Sequence, residues 1–69
     1  MIKTIQINGT PVLFVVNKDY FVTSQTGRTI KGKLTEIGSE SLQFECPIPG
    51  GKVQRQSIEI NQIVEAKKF

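Results

Sequence analysis

The chain has 69 residues, nine basic and six acidic side chains, a formal net charge of +3 and a pI near 9.3. That length holds one domain, which on folding buries only about 60% of the surface its unfolded chain exposes. A single cysteine and no histidine exclude an internal disulfide and a zinc site, and the mild basicity admits an anionic partner.

Near the amino end, Lys3 is a lone charge and the apolar run from Val12 to Val16 is short. A secretory core needs about 7–15 apolar residues and a membrane span about 20. A cytoplasmic protein without membrane contact is expected, and one free thiol fits a reducing compartment. No linker, repeat or low-complexity run divides residues 1–69, so one domain is expected.

Turn chemistry punctuates the chain. Asn8-Gly9 is a tight-hairpin signal because both residues tolerate positive φ. Further turns are expected at Asn17-Lys18-Asp19, Thr26-Gly27-Arg28 and Gly38-Ser39-Glu40, with a longer loop at Pro47-Ile48-Pro49-Gly50-Gly51. Between them lie short segments rich in β-branched and aromatic residues: Ile2 to Ile7, Val12 to Val16, Tyr20 to Gln25, Thr29 to Ile37, Ser41 to Cys46, Lys52 to Ile60 and Ile63 to Ala66. These predict antiparallel strands joined by hairpins. Ile30, Gly32 and Leu34 share one face, and Lys31, Lys33 and Thr35 the other; Leu42, Phe44 and Cys46 alternate with Gln43 and Glu45. The run from Val12 to Val16 is apolar throughout, which predicts burial on both faces or an interface carried by Val12, Phe14 and Val16. A terminal helix over residues 54–66 is the alternative, against which its β-branched residues argue. The mid-strand Gly32 predicts a sharp bend or a close backbone approach.

The run Gly27-Arg28-Thr29-Ile30-Lys31-Gly32-Lys33-Leu34, followed by Ile37, a polar turn and Leu42-Gln43-Phe44, has a G-x4-G-x-hydrophobic spacing. It resembles the first motif of the Sm/LSm and bacterial Hfq-like family. The tail from Ser57 to Ala66 resembles the end of such barrels, where a short 3₁₀ turn, here Ile60 to Gln62, separates the last two strands. The likeness implies an all-β, SH3/Sm-like closed barrel of five to seven short antiparallel strands. The run from Ile2 to Val16 stands where the family has a helix and reads as an added N-terminal β-hairpin. Gly38 and Ser41 stand near the positions where the family often carries aspartate and asparagine, and Glu59, Asn61 and Gln62 replace its second motif. A PilZ-type barrel is a more distant comparison, and its paired arginines are missing.

An enzyme is not expected. There is no histidine, Asp19 is the only aspartate, and the glutamates mostly alternate with apolar residues as exposed strand positions do. Cys46 has no histidine base and reads as a small buried apolar side chain. No P-loop or GxGxxG motif is present, so no cofactor and no metal are expected. Arg28, Lys31, Lys33, Lys52 and Arg55 form the candidate nucleic-acid-binding strip, with Lys67 and Lys68 beyond it. Tyr20 and Phe21 are the candidate stacking rings, of which Tyr20 is expected to be exposed and Phe21 in the core. RNA or single-stranded DNA binds such surfaces by phosphate attraction and base stacking. Lysines on strand exteriors serve equally to discourage edge-to-edge aggregation. The competing expectation is a protein-interaction or assembly module, homo-oligomeric or docked on another protein, that uses the apolar strand from Val12 to Val16.

Overall fold

The computed structural model describes residues 1–68. They form seven strands: β1 (Ile2–Ile7), β2 (Thr10–Val15), β3 (Asp19–Ser24), β4 (Thr29–Ile37), β5 (Ser41–Ile48), β6 (Lys52–Glu59) and β7 (Ile63–Lys68). A single 3₁₀ turn, Ile60–Gln62, separates β6 from β7. The terminal helix over residues 54–66 is absent, and no helix among the described residues is long and apolar enough to cross a membrane.

All pairing is antiparallel and falls into two sheets. β1 and β2 form one, and the other runs β6-β5-β4-β3-β7. β6 and β7 stand at its two ends and are not paired with each other, so hydrogen bonding does not close the sheet into a barrel.

β1 and β2 meet through Asn8 and Gly9, whose φ values of 49° and 78° are those of a two-residue hairpin turn. β2 begins at Thr10, two residues before the apolar run, and passes through Pro11. That proline faces Gln6. The bonded pairs flank it, so its missing N–H costs no ladder bond.

β4 is the longest strand. Gly32 lies where β4 and β5 approach closely: a Cβ there would press on the Glu45 carbonyl oxygen and lie 3.0 Å from the Cys46 Cα. The register also slips between Leu34 and Glu36, a bulge beside the glycine. Bulges add local twist and curl a sheet. Gly27, at φ 85°, turns β3 into β4.

The core collects one face of every strand. Ile5, Ile7 and Phe14 come from the hairpin, and Tyr20, Val22, Ile30, Leu34, Leu42, Phe44, Cys46, Ile58 and Ile63 from the larger sheet. Phe14 and Tyr20 pack ring against ring, with centroids 5.1 Å apart and planes tilted by 49°. The Tyr20 hydroxyl accepts from the Val15 N–H at 2.8 Å and donates to the Leu13 carbonyl at 3.3 Å. Asn8 Nδ2 donates to the Val64 carbonyl at 2.8 Å, tying the hairpin tip to β7.

Candidate nucleic-acid interface

Strand alternation decides which basic residues share a surface. In β3, Tyr20, Val22 and Ser24 point inward, so Asp19, Phe21 and Thr23 point out. In β4 the outward set is Thr29, Lys31 and Lys33. The register then lays out two cross-strand rows on the outer face. One is Lys67, Phe21 and Lys31, on β7, β3 and β4. The other is Asp19, Lys33, Glu45 and Arg55, on β3 to β6. Directly opposed side chains stand about 4.5–5.5 Å apart at Cβ, within contact reach.

The first row sets a half-buried aromatic ring between two exposed lysines. The second alternates in charge. Arg55 Nε lies 3.8 Å from Glu45 Oε2, and Lys67 Nζ lies 3.5 Å from Glu65 Oε1. Exposed pairs of this kind contribute about 0–1 kcal/mol and yield readily to a stronger anion. Beside Lys31, a shallow depression of about 230 Å³ is lined by Asp19, Gly32 and Pro47.

The basic strip read from the sequence therefore divides. Lys31, Lys33 and Arg55 share the outer face. Arg28 does not: its guanidinium Nη2 donates to Gln56 Oε1 at 3.1 Å, and Gln56 in turn donates to Gln54 at 3.3 Å. Gln56 pairs with Phe44 and Gln54 with Cys46, on the core-facing side of β5 and β6. Lys52, opposite Ile48, has the same parity and stands at the far end of that side. The reason is local geometry: Arg28 precedes β4, outside its alternation, and its contact with Gln56 fixes the side it takes, while Lys52 alternates with the outward Arg55 along β6.

Tyr20 is not a stacking platform. It is 1% exposed, and the hairpin backbone uses its hydroxyl. Phe21, expected inside, lies toward the surface. The two exchange roles because Tyr20 faces the hairpin, which covers it. Phe14 is likewise fully buried and Val12 packs against the core, so both work inside the monomer. Val16 is half-buried at the base of the hairpin. On the hairpin the apolar surface left outside belongs to Met1, Ile2 and Leu13, at 85%, 67% and 53% exposure, and on the larger sheet Val53 and Ile48 are also exposed, across from each other's neighbours on β6 and β5.

Sequence alone sets Phe21 in the core and Lys67 beyond the strip, and the register brings both into the site. The alternation of Lys31 and Lys33 was readable, but their neighbours across β3 depend on a register that no local signal specifies. Cys46 is buried as expected. Burial pushes its thiol pKa up, against the Lys31 backbone and the Arg28 charge, which pull it down.

Comparison of the chain with protein-family models, with curated proteins and with solved structures finds no match to any of them.

Proposed function

We propose that the protein binds single-stranded nucleic acid, RNA ahead of DNA, on the outer face of β7, β3 and β4. The observation that carries this reading is the row in which Phe21 stands between Lys31 and Lys67. Every base has a π-face, so one ring serves any sequence, and flanking ammonium groups attract the phosphates on either side. Lys33 and Arg55 add two cations in the neighbouring row, interleaved with Asp19 and Glu45, and the depression at Asp19, Gly32 and Pro47 offers room for a base edge. The preference for RNA rests on the resemblance of residues 27–34 to the first Sm motif.

The same resemblance supports an SH3/Sm-like curl of the sheet. The order β7-β3-β4-β5-β6, the close backbone approach at Gly32 and the 3₁₀ turn at Ile60–Gln62 agree with it. In this reading Gly32 and the neighbouring bulge let one long strand serve both halves of a small barrel.

The test is fluorescence anisotropy with labelled oligo(U) and oligo(dT) over a salt series. Each neutralised phosphate adds about −0.7 to the log–log salt slope, so two or three lysines give about −1.4 to −2.1. Phe21→Leu keeps the apolar packing and removes the ring, and is expected to weaken binding about tenfold. Salt-insensitive binding, or none at concentrations on the order of tens of micromolar, would end this reading.

A second reading, a protein-interaction or assembly module that includes self-association, is favoured by a different observation. Ile2 pairs with Val15 and Thr4 with Leu13 on the outer face of the hairpin, which brings the exposed Ile2 and Leu13 into adjoining rows. Exposed apolar side chains gathered on one face mark interaction sites more often than scattered ones do. Leu13→Lys would lower the molar mass measured by light scattering if copies associate there.

A further inference from the structure

The β1–β2 hairpin has two backbone edges, and they are covered unequally. The Val16 N–H donates to the Met1 carbonyl at 3.0 Å. Bonded and non-bonded pairs alternate along an antiparallel ladder. The bonded pairs are therefore Lys3 with Phe14, Ile5 with Val12 and Ile7 with Thr10. Ile2, Thr4 and Gln6 accordingly aim their N–H and C=O groups away from β2. On the β2 side most of the matching outward groups are taken. Tyr20 takes Leu13 and Val15, the Lys18 N–H reaches the Val15 carbonyl at 3.3 Å, and Pro11 has no N–H. On the β1 side no strand among the described residues pairs with the edge.

Two depressions run along that open edge. One, of about 320 Å³, is lined by Met1, Ile2, Lys3, Ile37, Gly38 and Ser39. The other, of about 460 Å³, is lined by Gln6, Ser39, Glu40, Glu59, Ile60 and Asn61. Ser39 borders both, so they make one trough beside β1. Its two ends differ in chemistry. Apolar side chains and Lys3 mark the beginning of β1, and two exposed carboxylates, Glu40 and Glu59, mark its end. Neither carboxylate is in an ion pair among the described residues.

We propose that this edge takes up an extended segment of a partner protein, added antiparallel to β1. β1 runs from the apolar end to the acidic end, so the added strand runs the other way. It carries a basic side chain near its amino end, against Glu40 and Glu59, and an apolar one near its carboxyl end, against Met1, Ile2 and Ile37. From Gln6 to Ile2 is about 13 Å of strand, which sets these two side chains four residues apart on one face. Backbone pairing supplies the affinity, and the two ends of the trough read the side chains.

The probe is a fluorescein-labelled peptide with the core Arg-Thr-Val-Thr-Leu, compared with its reversed sequence. Saturable binding is expected, with the reversed peptide about fivefold weaker. Thr4→Pro removes an N–H on the outward edge of β1, midway between the two depressions in sequence, and leaves the β1–β2 bonds in place; it is expected to weaken binding about fivefold. Joint Glu40→Lys and Glu59→Lys replacement should weaken it about fivefold and favour a peptide with glutamate in place of arginine. Thermal unfolding of each variant at the wild-type temperature shows that the losses are local. Equal affinity for the two peptides, wild-type affinity in both variants, or no saturable binding overturns the proposal. So does competition by poly(U), which would assign the trough to nucleic acid. A peptide-free dimer that Thr4→Pro converts to monomer would assign the edge to a second copy, and overturns it equally.

Discussion

The hairpin and the five-stranded sheet bury apolar residues by the same alternation, yet different bonds hold them. Within the larger sheet each strand is fastened to the next by a backbone ladder. The hairpin has no such ladder to the sheet. It is held by the burial of Ile5, Ile7 and Phe14, by the Tyr20 hydroxyl and by the Asn8 amide on Val64. Backbone ladders are cooperative and insensitive to side-chain identity, whereas side-chain docking rests on a few atoms. The outer faces differ in the same way. The sheet shows lysines around a ring, and the hairpin shows Ile2 and Leu13. The two regions share a core but offer surfaces of different chemistry.

Point changes break or sharpen that contrast, beginning with the largest. Phe14→Ala removes the ring at the junction and is expected to cost about 3–5 kcal/mol, enough to unfold much of a domain this small. Urea unfolding followed by both circular dichroism and tyrosine fluorescence would test it. A sheet that keeps its native transition while only the hairpin melts would show the two regions to be separable. Gly32→Ala works from the sheet's side. Its new methyl meets the Glu45 backbone, which has no flexible end to move away. A loss of about 1–3 kcal/mol is expected, or a fall of roughly 5–20 °C in melting temperature. An unchanged melting temperature would mean that β4 and β5 do not need to approach so closely.

Tyr20→Phe is gentler and more local. It keeps the ring contact with Phe14 and strands the Val15 N–H and the Leu13 carbonyl. A cost of about 1–2 kcal/mol is expected, with faster amide exchange at Val15 than anywhere in β4 or β5. Uniform acceleration across the sheet would argue that the hydroxyl supports the whole core. The smallest effect is at Cys46. Its folded thiol pKa is raised above the ordinary 9.0, chiefly by burial. The neutral thiol therefore contributes stability that is fully present below the ordinary value and is lost as pH rises through the folded one. Wild-type protein should lose stability relative to Cys46→Ala only above about pH 9, read as diverging urea midpoints. Parallel curves to higher pH would place the thiol in water.

The strand pattern was legible in the residues themselves. Asn8-Gly9, Gly38-Ser39 and Gly50-Gly51 mark where the chain turns, and the alternation of Ile30, Gly32 and Leu34 with Lys31 and Lys33 separates inside from outside. Both are local signals that a few neighbouring residues carry. The 3₁₀ turn at Ile60–Gln62 followed from the resemblance and is present. The site was less legible. Arg28 and Lys52 were grouped with Lys31 although they leave the other side of the sheet, because charge along a chain says little about face at a strand's end. Tyr20 and Phe21 are adjacent aromatics, and either could have been the inward one.

What the sequence determines by itself is local: where strands start and stop, which residues share a face, and that Gly32 interrupts a strand where a bend or a close approach is expected. Tertiary structure decides the rest. It places the hairpin over Tyr20 and not over Phe21, sets Lys67 beside Phe21 across β3, and leaves β6, β7 and β1 as unpaired edges. These outcomes depend on contacts between residues far apart in the chain. They follow from which apolar faces meet, a choice made by the whole core at once and written in no single segment.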